Sequence, residues 1–445
     1  MTMTTETLAE LAESKDVQRL HDWLEEQGAL DIADELARLE PHQRPIPFRL
    51  LPKDRALAVF EAFDPVHQGE LLDALADVDM DELFVGIDAD DRARLLDEVP
   101  AKVARRLLEG LPPAARRNTN VLLGYPEESA GRMMSPRYVS VRSTMSAADA
   151  LAKVRRAGLR PREVLVLPVT DDQRQLVGVV DLPDLVTASP GTVVDELTSH
   201  DTYSVQVDDD QEGAARLIQE ADLVALPVVD HEDRLVGVVT VDDAMEIIEQ
   251  EETEDISRAG GVEPLGVPYL EAGVIQLARK RVVWLVLLGV AAVASVTVIG
   301  RYEDRIETAS ALALFIPLLI GTGGNSGAQA ATVVIRALAV GEVRLVDVPR
   351  ILRRELVVGG LLGLMLGAIG FLPVLLFFNV QFAIVISLTL FFICTWATFA
   401  GGLLPPIAKR LGIDPAVFST PVIATLVDAT GLLIYFSIAV WVLGI

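Results

Sequence analysis

The sequence predicts a multidomain membrane protein with three parts. These are an all-α N-terminal superhelical domain, an α/β tandem pair and a five-helix α transmembrane domain. Three observations predict it. Charge and hydropathy lie in different halves of the chain, a stretch of about twenty residues occurs twice at a fixed offset, and five apolar stretches follow one another to the C-terminus. The chain has 445 residues, 51% of them hydrophobic, with a mean hydropathy of +0.38, yet its formal net charge is −26. Before Val282 stand 56 acidic and 29 basic residues, and from Val282 onward only 8 and 9. The acidic half therefore suits cations and argues against nucleic-acid partners. The single cysteine, Cys394, excludes a disulfide within the chain. The polar N-terminus shows no cleavable signal segment, so the soluble half is expected in the cytosol.

Residues 1–130 read as short amphipathic helices with polar breaks, an N-terminal acidic helical domain. LLPKDRALAVFEAFD and GIDADDRARLLDEVP share a pattern in which Asp54-Arg55-Ala56 matches Asp91-Arg92-Ala93. That points to repeated helical units. The acids Asp88, Asp90, Asp91 and Asp97 are expected on a solvated face.

Residues 131–245 contain the repeat. VLVLPVTDDQRQLVGVVDLPD at 164–184 returns as LVALPVVDHEDRLVGVVTVDD at 223–243, an ungapped offset of 59. Each copy joins a helical segment (147–156 and 211–220) to Val- and Leu-rich strands around a turn. The LPVVD and LVGVVTVDD runs resemble the CBS domain, so two copies resemble a CBS pair, a regulatory module.

Residues 246–278 connect the halves. Asp242, Asp243, Glu246, Glu249, Glu251, Glu252, Glu254 and Asp255 lie in one stretch that can form a helix ended by Gly260-Gly261. Acids at i, i+3 and i+4 repel one another. A hard divalent ion with oxygen ligands relieves that repulsion. Free of cation the cluster is expected to push apart, and with one bound to draw domains together.

Residues 279–445 hold apolar stretches at 282–299, 309–338, 356–378, 382–404 and 421–445, each near the roughly 20 residues a spanning helix needs. Basic residues flank them: Arg279, Lys280 and Arg281 before the first, Arg344, Arg350, Arg353 and Arg354 between the second and third, Lys409 and Arg410 between the fourth and fifth. The positive-inside rule makes these loops cytoplasmic and the C-terminus external. Asp428 lies 14 residues past Asp414, roughly 21 Å of helical rise. So deep a carboxylate must face a pore, a cavity or a partner. Gly321-Thr-Gly-Gly-Asn-Ser-Gly-Ala-Gln329, after Pro317, predicts a break in the second span that lines the pore. Gly359, Gly360, Gly363 and Gly367 read as close-packing surfaces in the third.

Taken together, the acidic helical domain, the CBS pair, the acidic connecting helix and five spans carrying GTGGNSGAQ and TLVDATGLLIYF resemble the MgtE magnesium transporters over nearly the whole chain. The resemblance implies a homodimer in the plasma-membrane bilayer, with a pore between the second and fifth spans of both subunits. It implies Asp428 as the pore carboxylate, with Ala424, Gly321, Gly323, Gly324, Asn325 and Gln329 around the ion path, and Asp414 at the cytoplasmic mouth. Glu251, Glu254 and Asp255 are implied as plug-helix acids. Asp222, Asp243 and Glu246 are implied at sensing sites of the CBS region, and Asp88 and Asp91 as N-domain ligands. Glu246 stands where the family pattern has Asp, and Thr420 and Ala328 where it has amides. ATP is a ligand of some members, but Pro183 replaces the expected arginine contact.

The expected function is Mg²⁺ uptake through a channel or transporter closed by cytosolic Mg²⁺, with Mg²⁺ as both substrate and regulator. The alternatives are another divalent cation such as Mn²⁺ or Co²⁺, or a membrane-tethered sensor. An enzyme is not expected. His21, His42, His67, His200 and His231 all precede the spans. There is no H-E-x-x-H and no G-x-x-x-x-G-K-[ST].

Overall fold

The structure, a computed structural model, describes residues 8–9, 11, 17–75, 83–265, 269, 272–304, 310–417 and 420–444. It divides into two compact units, Met1–Glu249 and Gln250–Ile445.

The first unit opens with the helices α1 (Val17–Glu26), α2 (Ala29–Ala37), α3 (Pro45–Arg49), α4 (Lys53–Glu61), α5 (Pro65–Ala74), α6 (Ala89–Glu98), α7 (Ala101–Gly110) and α8 (Pro113–Leu122). Prolines pre-set the first turns of α3, α5 and α8. The Asp64 carboxylate caps α5 by accepting from the backbone N–H of His67 at 2.9 Å. Leu24, Ile32, Leu36, Phe60, Leu71, Leu72 and Phe84 form the core. The repeated Asp-Arg-Ala has a physical role. Arg55 donates to the Glu25 and Gln27 carbonyls at the end of α1. Buried Arg92 donates to the carbonyls of Phe84, Val85 and Ile87 and to Thr119 Oγ1. In both copies the arginine satisfies orphan carbonyls that a preceding helical segment leaves behind.

The α/β pair follows, entered through α9 (Ala130–Met133), whose Arg132 grips Asp97 of α6 through two bonds of 2.6 and 2.8 Å. The first copy comprises β1 (Val141–Arg142), α10 (Ala147–Ala157), β2 (Val166–Thr170), β3 (Leu176–Asp181) and α11 (Leu182–Thr187). The second comprises β4 (Val205–Gln206), α12 (Gln211–Glu220), β5 (Ala225–Val229), β6 (Leu235–Thr240) and the long α13 (Val241–Ala259). Both sheets have the same topology, a parallel β1–β2 or β4–β5 pair beside an antiparallel hairpin. The registers repeat at the 59-residue offset: Leu167 faces Val180, and Leu226 faces Val239. A core of Ala89, Ala93 and Leu122 with Ala214, Ile218, Leu226, Val239, Ala244 and Ile247 packs the superhelix against the second copy.

Among the described residues of the second unit, five helices are long and apolar enough to cross a membrane. They are α14 (Val274–Arg301), α15 (Ala311–Ala339), α16 (Val348–Phe377), α17 (Val380–Arg410) and α18 (Thr420–Leu443). One expectation is corrected here: α15 runs unbroken through Pro317 and the glycine-rich segment. With no water to compete for backbone groups, a spanning segment keeps its helical bonds where a soluble one would fray. Several of its glycines instead allow close approach. A Cβ on Gly323 would stand 2.5 Å from Ile393 Cγ2, and one on Gly327 2.9 Å from Ile423 Cγ2. Gly359, Gly363 and Gly367 do the same for α16 against the backbone of α17. The Tyr435 hydroxyl ties α18 to α15 by donating to the Leu312 carbonyl at 2.9 Å.

Candidate ion-handling sites

The residues singled out from the sequence fall into three groups, one in the first unit and two in the second. The first group lies where α6 meets α13. Arg94 of α6 bonds Asp91 at 2.6 Å and reaches Glu246 of α13 at 2.7 Å. Burial works against the Arg94 charge, but Glu246 and Asp91 outweigh it and hold the guanidinium above its ordinary range. The Asp243 carboxylate lies 2.6 Å from the Thr240 hydroxyl, which Asp242 also approaches. Burial, with the charges of Asp242 and Asp91, pushes the Asp243 carboxyl up to about 7 against the opposing Thr240 bond and Arg94 charge.

Asp90 was expected on a solvated face and is instead buried, 6% exposed. Its Oδ1 has no hydrogen-bond partner. Burial first, then the charges of Asp243, Asp91 and Asp88, raise its pKa well above the carboxylate range. Its burial comes from docking of the superhelix on the second α/β copy, which the local pattern ADDRARLL does not encode. An orphaned buried carboxyl beside other acids fits a cation that supplies the missing partner.

Asp88, expected as a ligand of the same kind, lies 3.3 Å from Arg160 and 3.5 Å from Arg137. Asp222 is exposed in a left-handed turn at φ +52°. Asp97, also read as solvated, is the partner of Arg132.

The second group lies at the end of α13. Arg258 forms an ion pair with Glu254, one turn earlier on the same helix. Its Nη1 donates to Asp414 Oδ2 at 2.7 Å, while Asp414 Oδ1 accepts from the Ala416 N–H at 2.8 Å. Arg336 of α15 lies 3.7 Å from Glu252. Glu251 and Asp255 lie on the same helix. The sequence signal for Arg94 and Arg258 was their place three or four residues from an acid. That spacing marks local pairs but not the long-range acid each one also holds.

The third group is on the spans. Asp428 sits half-buried on α18. A Cβ built on Gly324 of α15 would stand 3.4 Å from Ala424 Cβ and 3.7 Å from Asp428 Oδ1. Gly321, Asn325 and Gln329, spaced by four, share one exposed face of α15, while Gly323, Gly324 and Gly327 face the bundle. Among the described residues, no three His, Cys, Asp or Glu side chains converge as a ready-made metal centre.

These features define a multi-pass membrane transport protein with a CBS regulatory pair. Residues 316–438 match the MgtE family, described as divalent cation transporters; residues 28–128 match the MgtE intracellular N domain; residues 130–191 and 194–250 match CBS domains. The chain is 38% identical to the magnesium transporter MgtE of Thermus thermophilus over 437 residues, 97% of each chain. It is 33% identical to that of Bacillus subtilis over 79% of this chain and 78% of that one. The solved cytosolic domain of the Mg²⁺ channel MgtE in complex with ATP is 35% identical, covers 54% of this chain and 98% of that one, and superposes with a TM-score of 0.51. The chain belongs to the MgtE family of magnesium transporters, a family of transporters and not of enzymes.

Proposed function

We propose that this chain forms a homodimeric pore that admits Mg²⁺ into the cytosol and is closed by Mg²⁺ accumulating there. The single observation that carries the pore reading is a half-buried carboxylate, Asp428, beside the small residues Gly324 and Ala424 where α15 meets α18. Mg²⁺ gives up its waters reluctantly. One carboxylate per subunit grips a hydrated ion through those waters and still lets it leave. The exposed amides of Asn325 and Gln329 support a second copy across the pore, because polar side chains at membrane depth face water or protein rather than lipid.

Closure rests on the acid groups. Asp90, Asp91, Asp243 and Glu246 would hold regulatory Mg²⁺ in the first unit, and Glu251, Glu254, Asp255 and Asp414 in the second. Mg²⁺ keeps several waters and needs only one or two carboxylates, which suits groups that do not form a dry cage. Ion-free repulsion is not uniform across them, since Arg94 already neutralises part of the first group. The basic loops support an N-terminal unit in the cytosol and a C-terminus outside. Pro183 lies in the first turn of α11 between Asp181 and Asp184, acids that oppose the polyphosphate of ATP.

The test is Mg²⁺ uptake into liposomes carrying oriented full-length protein. Asp428→Asn is expected to lower the initial rate at least tenfold while leaving the protein monodisperse. Uptake by the wild type is expected to fall as Mg²⁺ on the cytosolic side rises. A well-folded Asp428→Asn variant that transports at the wild-type rate overturns the pore assignment. Mn²⁺ or Co²⁺ carried in place of Mg²⁺ overturns the choice of cargo.

A further inference from the structure

The end of α13 is built to hold one side chain in place. The helix stops at Gly261, whose φ of +67° suits glycine. The Gly261 N–H returns to the Arg258 carbonyl at 2.9 Å, and the Val262 N–H to the Ser257 carbonyl at 3.0 Å. Two residues on, Glu263 accepts from the Trp284 indole N–H of α14 at 2.8 Å, which anchors the exit from the turn. Arg258 occupies the last turn, where the helix dipole favours a cation. Its guanidinium lies between Glu254 on its own helix and Asp414 in the loop between α17 and α18. Asp414 is itself fixed, since its other oxygen accepts the Ala416 N–H. Partial burial disfavours the Arg258 charge, but the Asp414 bond and the charges of Glu254, Asp414 and Glu263 prevail.

An arginine so placed bridges the same two carboxylates that a divalent ion would bridge. It offsets one of their two negative charges and joins the helix to the loop. Unlike the ion, it is covalently tethered and present at every Mg²⁺ concentration. We propose that Arg258 is a built-in counter-ion latch that holds the connecting helix against Asp414 when no ion is bound, so that the mouth is partly closed before Mg²⁺ arrives. The proposal rests on the reading of Asp414 and Glu254 as acids of the cytoplasmic mouth. It makes Arg258 a positioning residue that acts through Asp414 and does not touch the ion path.

The test uses full-length protein in oriented liposomes, with initial Mg²⁺ uptake measured at nominally zero and at saturating Mg²⁺ on the cytosolic side. Arg258→Gln is expected to raise uptake at zero Mg²⁺ by about two- to fivefold, the range set by a part-exposed ion pair. It should leave uptake at saturating Mg²⁺ as low as in wild type. Arg258→Lys keeps the charge and should restore most of the wild-type behaviour; it also serves if the Gln variant does not fold. In Asp414→Asn the Arg258→Gln change should add nothing. Uptake by Arg258→Gln equal to wild type at zero Mg²⁺, or Arg258→Lys behaving as the Gln variant does, overturns the latch. The underlying reading fails separately, if Asp414→Asn leaves suppression by cytosolic-side Mg²⁺ untouched. If Asp414→Asn weakens suppression and Arg258→Gln is inert, the latch alone is wrong.

Discussion

At the scale of single residues, the carboxyls buried between α6 and α13 carry the plainest consequence. Asp90 is raised well above the carboxylate range and Asp243 to about 7, both by burial first and then by neighbouring acids. Arg94 and the Thr240 hydroxyl face Asp243 and act the other way. A carboxyl raised in the folded state binds a proton there that the unfolded chain releases near pH 3.9. The stability tied to that proton is complete below the unfolded value and lost as pH rises through about 7. Ion-free protein in EDTA should therefore show a thermal midpoint that falls between pH 5.5 and 8, more steeply in wild type than in Asp243→Asn. Mg²⁺ competes with the proton for the same oxygens, so its stabilisation should be larger at pH 8 than at pH 6. Equal slopes in the two proteins by scanning fluorimetry would remove Asp243 from the account. Composition shows that this half is acidic, but not which acid is buried. Asp90 sits among Asp88, Asp91 and Arg92, a pattern that reads as solvent-facing. Only the packing of Ala89 and Ala93 against the second CBS copy turns it inward.

At the scale of elements, what was legible follows from periodicity and what was not follows from partners. The 59-residue repeat gave both hairpins and both copies of the LPV and LVGVV strands because identical local patterns fold alike. The spans declared themselves by length and apolarity. The glycine-rich stretch did not, because its composition signals a break in water and close packing in a membrane helix. Its neighbours decide which. Gly363 of α16 shows the consequence: a Cβ there would stand 2.5 Å from Phe391 Cα and 2.8 Å from the Leu390 carbonyl oxygen. Backbone cannot step aside as a side chain can, so Gly363→Ala forces α16 and α17 apart. The expected cost is about 1–3 kcal/mol, the usual range for overpacking. Gly321, whose added Cβ meets nothing within 4 Å, should accept alanine with no loss of folding. Thermal unfolding of both variants in detergent checks the pair, and a Gly363→Ala midpoint equal to that of wild type would refute the packing assignment. The same logic reaches Arg94. Its sequence neighbours gave the Asp91 pair, but only the docking of α6 on α13 supplies Glu246.

At the scale of the whole molecule, the chain separates its charge from its apolar surface, with 56 of its 64 acids before Val282. An acidic half of this size raises the local cation concentration within a Debye length, about 8 Å at physiological salt. The spans, by contrast, carry few charges, and among the described residues Gly321, Asn325 and Gln329 form a stripe along α15 that a single copy leaves uncovered. A polar stripe beside apolar lipid-facing helices is resolved when a second copy closes around water. In membranes, Asn325→Cys in a Cys394→Ser background should react with a water-soluble thiol reagent. It should also join two copies through a flexible bis-maleimide. Leu364→Cys lies on the outer surface of α16, 61% exposed among apolar neighbours, and should do neither. Reaction and cross-linking at Asn325 but not at Leu364 would set α15 along an aqueous path between two copies. An unreactive Asn325→Cys in folded, transporting protein would mean that this face packs against something other than water, and the dimeric pore would have to be lined by another element.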